Sequence, residues 1–172
     1  MKILELLSRI DNVFAFVIKV AVTVLGLFIA FAMVGGILFR ALLGIQVFGL
    51  EELVLMAAMW LYMLGAALAS RERTHLSADF FQAFSDNEVL HSTMNLVATT
   101  LSLLLAVFFV RWSYSIFSWG FEKGQVTPVF GIPQYFSQAS LLVASVFLLL
   151  YVLRDFVHDV SKLVLKAKAA AH

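Results

Sequence analysis

VAVTVLGLFIAFAMVGGILF, residues Val20 to Phe39, decides the fold: 20 consecutive residues without Asp, Glu, Lys or Arg. A helix rises about 1.5 Å per residue, so about 20 residues cross the ~30 Å hydrocarbon core of a bilayer. Three more uncharged runs follow, Leu53 to Ser70, Val89 to Val110 and Gly124 to Leu153. The last contains Pro128, Gly131 and Pro133. These turn formers assign its first part to a loop and leave Tyr135 to Leu153 as a crossing. The runs are continuously apolar rather than alternating, which disfavours a β-barrel. The expected fold is therefore an all-α integral membrane protein. It has one domain, residues 1–172, with four transmembrane helices near 15–40, 50–70, 89–115 and 134–160.

Composition supports the same class. The chain is 62% hydrophobic and 13% charged, whereas a soluble domain is about half apolar and about a quarter charged. Disorder is excluded by the same figures. A net charge of +1 without a dominant basic cluster argues against a nucleic-acid partner. No cysteine is present, so disulfides, thiolate metal sites and a cysteine nucleophile are absent. The first fourteen residues carry Lys2, Glu5, Arg9 and Asp11 and fit a signal peptide poorly.

With four crossings, both termini share one side with the link between helices two and three. That side collects nine of the twelve Lys and Arg residues; Arg40, Arg111 and Lys123 fall on the other. The positive-inside rule then predicts cytoplasmic termini. Ile3, Leu6, Leu7 and Ile10 recur at helical spacing among charges, predicting an amphipathic interfacial helix over 2–13. Phe80, Phe81 and Phe84 predict a second over 76–85. Trp112, Tyr114 and Trp119 mark the outer membrane boundary, and the Lys-rich tail suits anionic lipid headgroups.

Motifs for nucleotide binding and metalloprotease chemistry are missing, and the four histidines are scattered. No catalytic, metal-binding or substrate-binding residue is assigned, and no cofactor is expected. No internal repeat or interrupted helix is evident, features that mark many secondary-transporter sites. Their absence weighs against transport by this chain alone.

Charged residues near the membrane are functional candidates by default. Arg40 closes the first run, and Glu51 and Glu52 precede the second across a short link. One reading pairs Arg40 with a glutamate; the other makes the two carboxylates a cation or proton site. Neighbours on a helix point about 100° apart and form no natural chelate, so the structural reading leads, with at most one glutamate facing a partner protein. Arg71 and Arg73 read as a positive flank after helix two, while His75 and Asp79 suit a clasp that fixes the interfacial helix against a partner. Thr127 to Pro133 reads as a stiff entry to helix four, or as a periplasmic docking loop through Pro128, Gly131 and Pro133. Gly35, Gly36, Gly65, Ala66 and Ala67 permit close helix packing.

Taken in order, Glu51-Glu52, Trp60, Gly65 to Ala69, then Arg71, Arg73, His75 and Asp79 resemble the central signature of the small (Q) membrane subunit of tripartite ATP-independent periplasmic (TRAP) transporters. The Thr127 to Pro133 loop resembles that family's turn before helix four. The resemblance covers essentially the whole chain. It implies a bacterial inner-membrane protein that partners a large (M) membrane subunit, a periplasmic substrate-binding protein and membrane lipids. It also implies that substrate and sodium sites lie in the large subunit, and that organic acids such as C4-dicarboxylates or sialic acid are carried. The small subunit would enlarge the stationary scaffold, here as a separate rather than a fused chain. Three other classes stay open: a self-contained homo-oligomeric transporter or channel, a lipid-modifying enzyme using His75 and Asp79, and a redox anchor using His91 and His158.

Overall fold

The structure is a computed structural model that describes residues 2–45, 47–71 and 88–170, with side chains described over 11–45, 47–71 and 93–163. Four helices make up the described chain: α1 (Lys2–Leu43), α2 (Leu50–Arg71), α3 (Glu88–Lys123) and α4 (Tyr135–Ala170). All four are long and apolar enough to cross a membrane. No strand occurs among the described residues, only an isolated bridge between Val126 and Pro133. The protein is an all-α, multi-pass membrane protein. The expected interfacial helix over 76–85, with Arg73, His75 and Asp79, lies outside the described residues.

The helix limits follow hydrogen bonding rather than charge. α1 runs unbroken from Lys2, so the amphipathic segment 2–13 continues directly into the first crossing. α3 passes Arg111 and extends beyond the expected end at 115 as far as Lys123. A charge marks where a helix meets water, but the backbone ladder continues until a residue leaves the helical region. Glycines provide those exits. Gly44 (φ 66°) and Gly124 (φ 59°) follow the last residues of α1 and α3 in the left-handed conformation typical of a helix C-terminus. The Gly44 N–H closes on the Arg40 carbonyl at 3.2 Å.

The helices lie in the spatial order α1, α2, α4, α3, each packed mainly on its neighbour in that order. The contacts use small residues. Ala57, Ala67, Ala106 and Ala144 are buried, as are Ser113, Ser140 and Ser145. Lipid is as apolar as a leucine side chain, so helices in a bilayer associate by close approach rather than by hydrophobic exclusion. Ser140 and Ser145 donate to carbonyls of their own helix, at 2.6 and 2.9 Å, which lets a hydroxyl sit inside the bundle. Of the small residues singled out in the sequence, Ala67 is fully buried, and a Cβ on Gly36 would stand 2.6 Å from Leu50 Cδ2. Gly35 and Gly65 face open space instead.

A tight approach also occurs at the start of α2. Gly49 has φ 83°, and its carbonyl accepts the Glu52 N–H at 3.1 Å, opening the helix. A Cβ there would strike the Phe130 ring. Gly49→Ala therefore meets both a disfavoured backbone angle, about 1–2 kcal/mol, and a ring that must move. In a detergent melt it should lower Tm by about 2–8 °C. Gly35→Ala, on an open helix face, should stay close to wild type. Identical melts for the two variants would refute this account of the α2 start.

Candidate functional site

The α1–α2 link and the α3–α4 loop gather at one end of the bundle. The α3–α4 loop is a small closed hairpin. Thr127 N–H donates to the Ile132 carbonyl (2.9 Å), Gly131 N–H to the Thr127 carbonyl (3.1 Å), and Gln134 N–H to the Gln125 carbonyl (2.8 Å). The Ile132 N–H donates to the Thr127 hydroxyl oxygen at 3.1 Å. Gly131 takes φ 63°, which turns the chain back. These bonds leave the amides at the tip, Val129 and Phe130, pointing away from the hairpin.

Both amides meet Glu52. Val129 N–H donates to one carboxylate oxygen at 2.8 Å and Phe130 N–H to the other at 3.2 Å. The Thr127 hydroxyl lies within reach of the same carboxylate. Two successive backbone N–H groups form a concavity suited to an anion, here filled by a side chain 77 and 78 residues earlier in sequence. Glu52 thus ties the first turn of α2 to the loop before α4.

Arg40 makes no ion pair with Glu51 or Glu52 among the described residues, so the pairing allowed by the short link is not formed. For Glu52 the tip amides take that place, since a bidentate carboxylate satisfies both of them. Glu51 points elsewhere and is exposed. It borders two recesses. One, of about 550 Å³, is lined by Phe48, Leu55, Met56 and Met59, by the loop, and by Gln134, Ser137 and Gln138. The other, of about 290 Å³ between α1 and α2, has Arg40 on its wall.

A second polar cluster joins three helices at the opposite end. Arg71, in the last turn of α2, donates to Asp11 at 2.9 Å and to Asn12 Oδ1 at 2.6 Å, both on α1. The Tyr151 hydroxyl of α4 donates to the other Asp11 oxygen at 3.1 Å. Arg154 donates to the Arg71 carbonyl at 3.0 Å and to Asp155 at 2.9 Å, and its guanidinium lies 5.3 Å from the Tyr151 ring centre. The first of these bonds caps the C-terminus of α2, where carbonyls lack helical partners. Nearby, Thr99 of α3 donates to Asp159 of α4 at 2.7 Å.

Of the candidates in the sequence, Arg71 joins this cluster and Glu52 joins the loop. Pro128 lines the larger recess, and Pro133 pairs with Val126. Trp60 packs on Phe136 with ring centres 5.9 Å apart. Asp11, Asn12, Tyr151, Arg154 and Asp155 were not singled out from the sequence. Asp11 reads there as one charge on an amphipathic face.

Chemically, the arrangement holds helices together. Among the described residues, no group of three or more His, Asp or Glu side chains is placed to bind a metal ion. Both polar clusters are built on carboxylates bonded by amides, guanidinium groups or hydroxyls. Sequence comparison adds one finding. The family model described as "Tripartite ATP-independent periplasmic transporters, DctQ component" matches residues 29–162, most of the chain and every helix of the bundle. No curated protein matches the sequence.

Proposed function

We propose a scaffold role, from the premise that the chain belongs to the DctQ-component family of tripartite ATP-independent periplasmic transporters. In this role the chain is the small permease subunit. It lies in the bacterial inner membrane with both termini in the cytoplasm and packs against the large membrane subunit. The large subunit carries the substrate and sodium sites, a periplasmic binding protein delivers an organic acid, and this chain enlarges the part that stays still while the transport domain moves.

The observation that carries the reading is the bracing at both ends of the bundle. A stationary support must resist the forces of a moving neighbour, so its helices must not slide or splay. Glu52 holds the loop end together, and Arg71, Asp11 and Tyr151 hold the terminal end. Between them, the helices offer long apolar flanks. Phe31 and Leu42 on α1 and Leu105 and Trp112 on α3 are all strongly exposed, and such surface needs lipid or a partner subunit.

Reconstitution in liposomes tests the reading. The large subunit with its binding protein should take up substrate on a sodium gradient when this chain is present, and lose most of that uptake when it is left out. Full uptake without it would refute the scaffold role. Uptake by this chain alone would point to a self-contained transporter.

A further inference from the structure

We propose that the recess beside the start of α2 receives a cationic side chain, Lys or Arg, borne on a transmembrane helix of the large membrane subunit, with Glu51 as its counter-ion. The inference rests on the scaffold reading above and adds to it where the two subunits engage and through which charge.

The two adjacent glutamates have separated roles. Glu52 is consumed internally by the Val129 and Phe130 amides. Glu51 is exposed and makes no ion pair among the described residues, although Arg40 borders the smaller recess beside it. A carboxylate at the hydrocarbon edge is costly unless paired, and charges in such positions face a protein interior or a partner. A Lys or Arg supplies that pairing and reaches it along an apolar stem.

The walls suit a protein side chain. Phe48, Leu55, Met56 and Met59 form the apolar part, and Gln134, Ser137 and Gln138 offer polar groups opposite. Methionine is common on surfaces that mould to a partner, because its unbranched thioether adapts. Phe48 of the lining stands exposed, and a large aromatic that a partner covers is typical of energetically dominant contacts. The volume, about 550 Å³, exceeds what one headgroup ammonium needs.

Depth selects the partner. Met59 lies about 13 Å along the helix axis from Leu50, the first residue of α2. The recess thus runs along the flank of the apolar, membrane-length helix α2, where a neighbouring transmembrane helix lies alongside it and brings its cation to Glu51 at the outer end. The loop wall of the recess is held in place by Glu52, so the site is preformed and little ordering is needed on docking.

The test measures association of the tagged chain with the large subunit in mild detergent, for wild type, Glu51→Gln and Arg40→Gln, with a photo-reactive residue at Leu55 in a parallel sample. Glu51→Gln should weaken association about tenfold or more, while its own melt stays at the wild-type value. Arg40→Gln should leave association unchanged, and the Leu55 probe should mark the large subunit. Undiminished association of Glu51→Gln would overturn the proposal and leave the scaffold role standing. So would a matching loss in Arg40→Gln, which would make Arg40 the counter-ion, or a Leu55 adduct confined to lipid or to a second copy of this chain. Failure of the wild type to associate at all would overturn the scaffold role, and this proposal with it.

Discussion

Replacing Glu52 by Ala should release the α3–α4 loop while leaving the helices in place. The carboxylate accepts the Val129 and Phe130 amides, and neither amide has another acceptor within the hairpin, whose own bonds use Thr127, Gly131, Ile132 and Gln134. A hydrogen bond to a charged group contributes about 1.5–3 kcal/mol. Hydrogen exchange at these two amides should therefore speed up by about ten- to a hundredfold in Glu52→Ala. Amides in the middle of α2 and α4 should keep their protection. Glu52→Gln retains one good acceptor and should fall between. Glu52→Asp is one methylene shorter and should behave more like Ala than like Gln. Unchanged protection of Val129 and Phe130 in Glu52→Ala would show that the hairpin holds its shape without α2.

The same pair of glutamates shows where sequence reading stops. Their spacing says that they point about 100° apart, hence that they cannot chelate one ion and that they serve different neighbours. It does not say which neighbours. The partners of Glu52 are backbone amides from Val129 and Phe130, and a backbone donor has no residue type to recognise. Arg40 carries the visible opposite charge, and it is not the partner. The four crossings, by contrast, are legible, because the bilayer imposes a length and a composition that each of the four uncharged runs carries. Helix ends were less so. The third helix is expected to end near 115, and the actual stop is Gly124, whose left-handed conformation ends α3. Ala67 is legible as a packing residue, because smallness has the same meaning in any bundle. Gly65, in the same motif, lies open, since which side of a helix meets a neighbour depends on the order α1, α2, α4, α3 rather than on local pattern.

The clasp at the terminal end should be the most sensitive point of the fold. Arg71 and Asp11 are 19% and 34% exposed in their side chains, so the pair is only partly screened by water. Its two partners stand 60 residues apart on different helices. Arg71→Leu leaves Asp11 with the Tyr151 hydroxyl alone and leaves Asn12 without its donor. An acid stripped of its cation while half-buried costs more than the pair contributed, because its desolvation remains. The expected loss is about 2–3 kcal/mol, or a Tm lower by about 4–12 °C for a chain of this size. Asp11→Asn is the milder change. It keeps a polar group for Tyr151 and removes the charge, but leaves the Arg71 guanidinium bonded to Asn12 and free to reach water. The double variant separates a true pair from two independent defects. If Asp11 and Arg71 act on each other, Asp11→Asn in the Arg71→Leu background should cost little or restore some stability, since the orphaned charge is gone, giving a coupling of about 1 kcal/mol or more. Simple additivity would mean that α1 is held to α2 by the small-residue contacts and that the ion pair contributes nothing. Because Arg154 caps the same last turn through the Arg71 carbonyl, a bond that Arg71→Leu preserves, α2 should keep its helical end in every one of these variants. The loss should then appear as separation of α1 from α2 and α4, visible as faster labelling of a cysteine introduced at Ala15, a position buried in the wild type, in a chain that has no other cysteine to react.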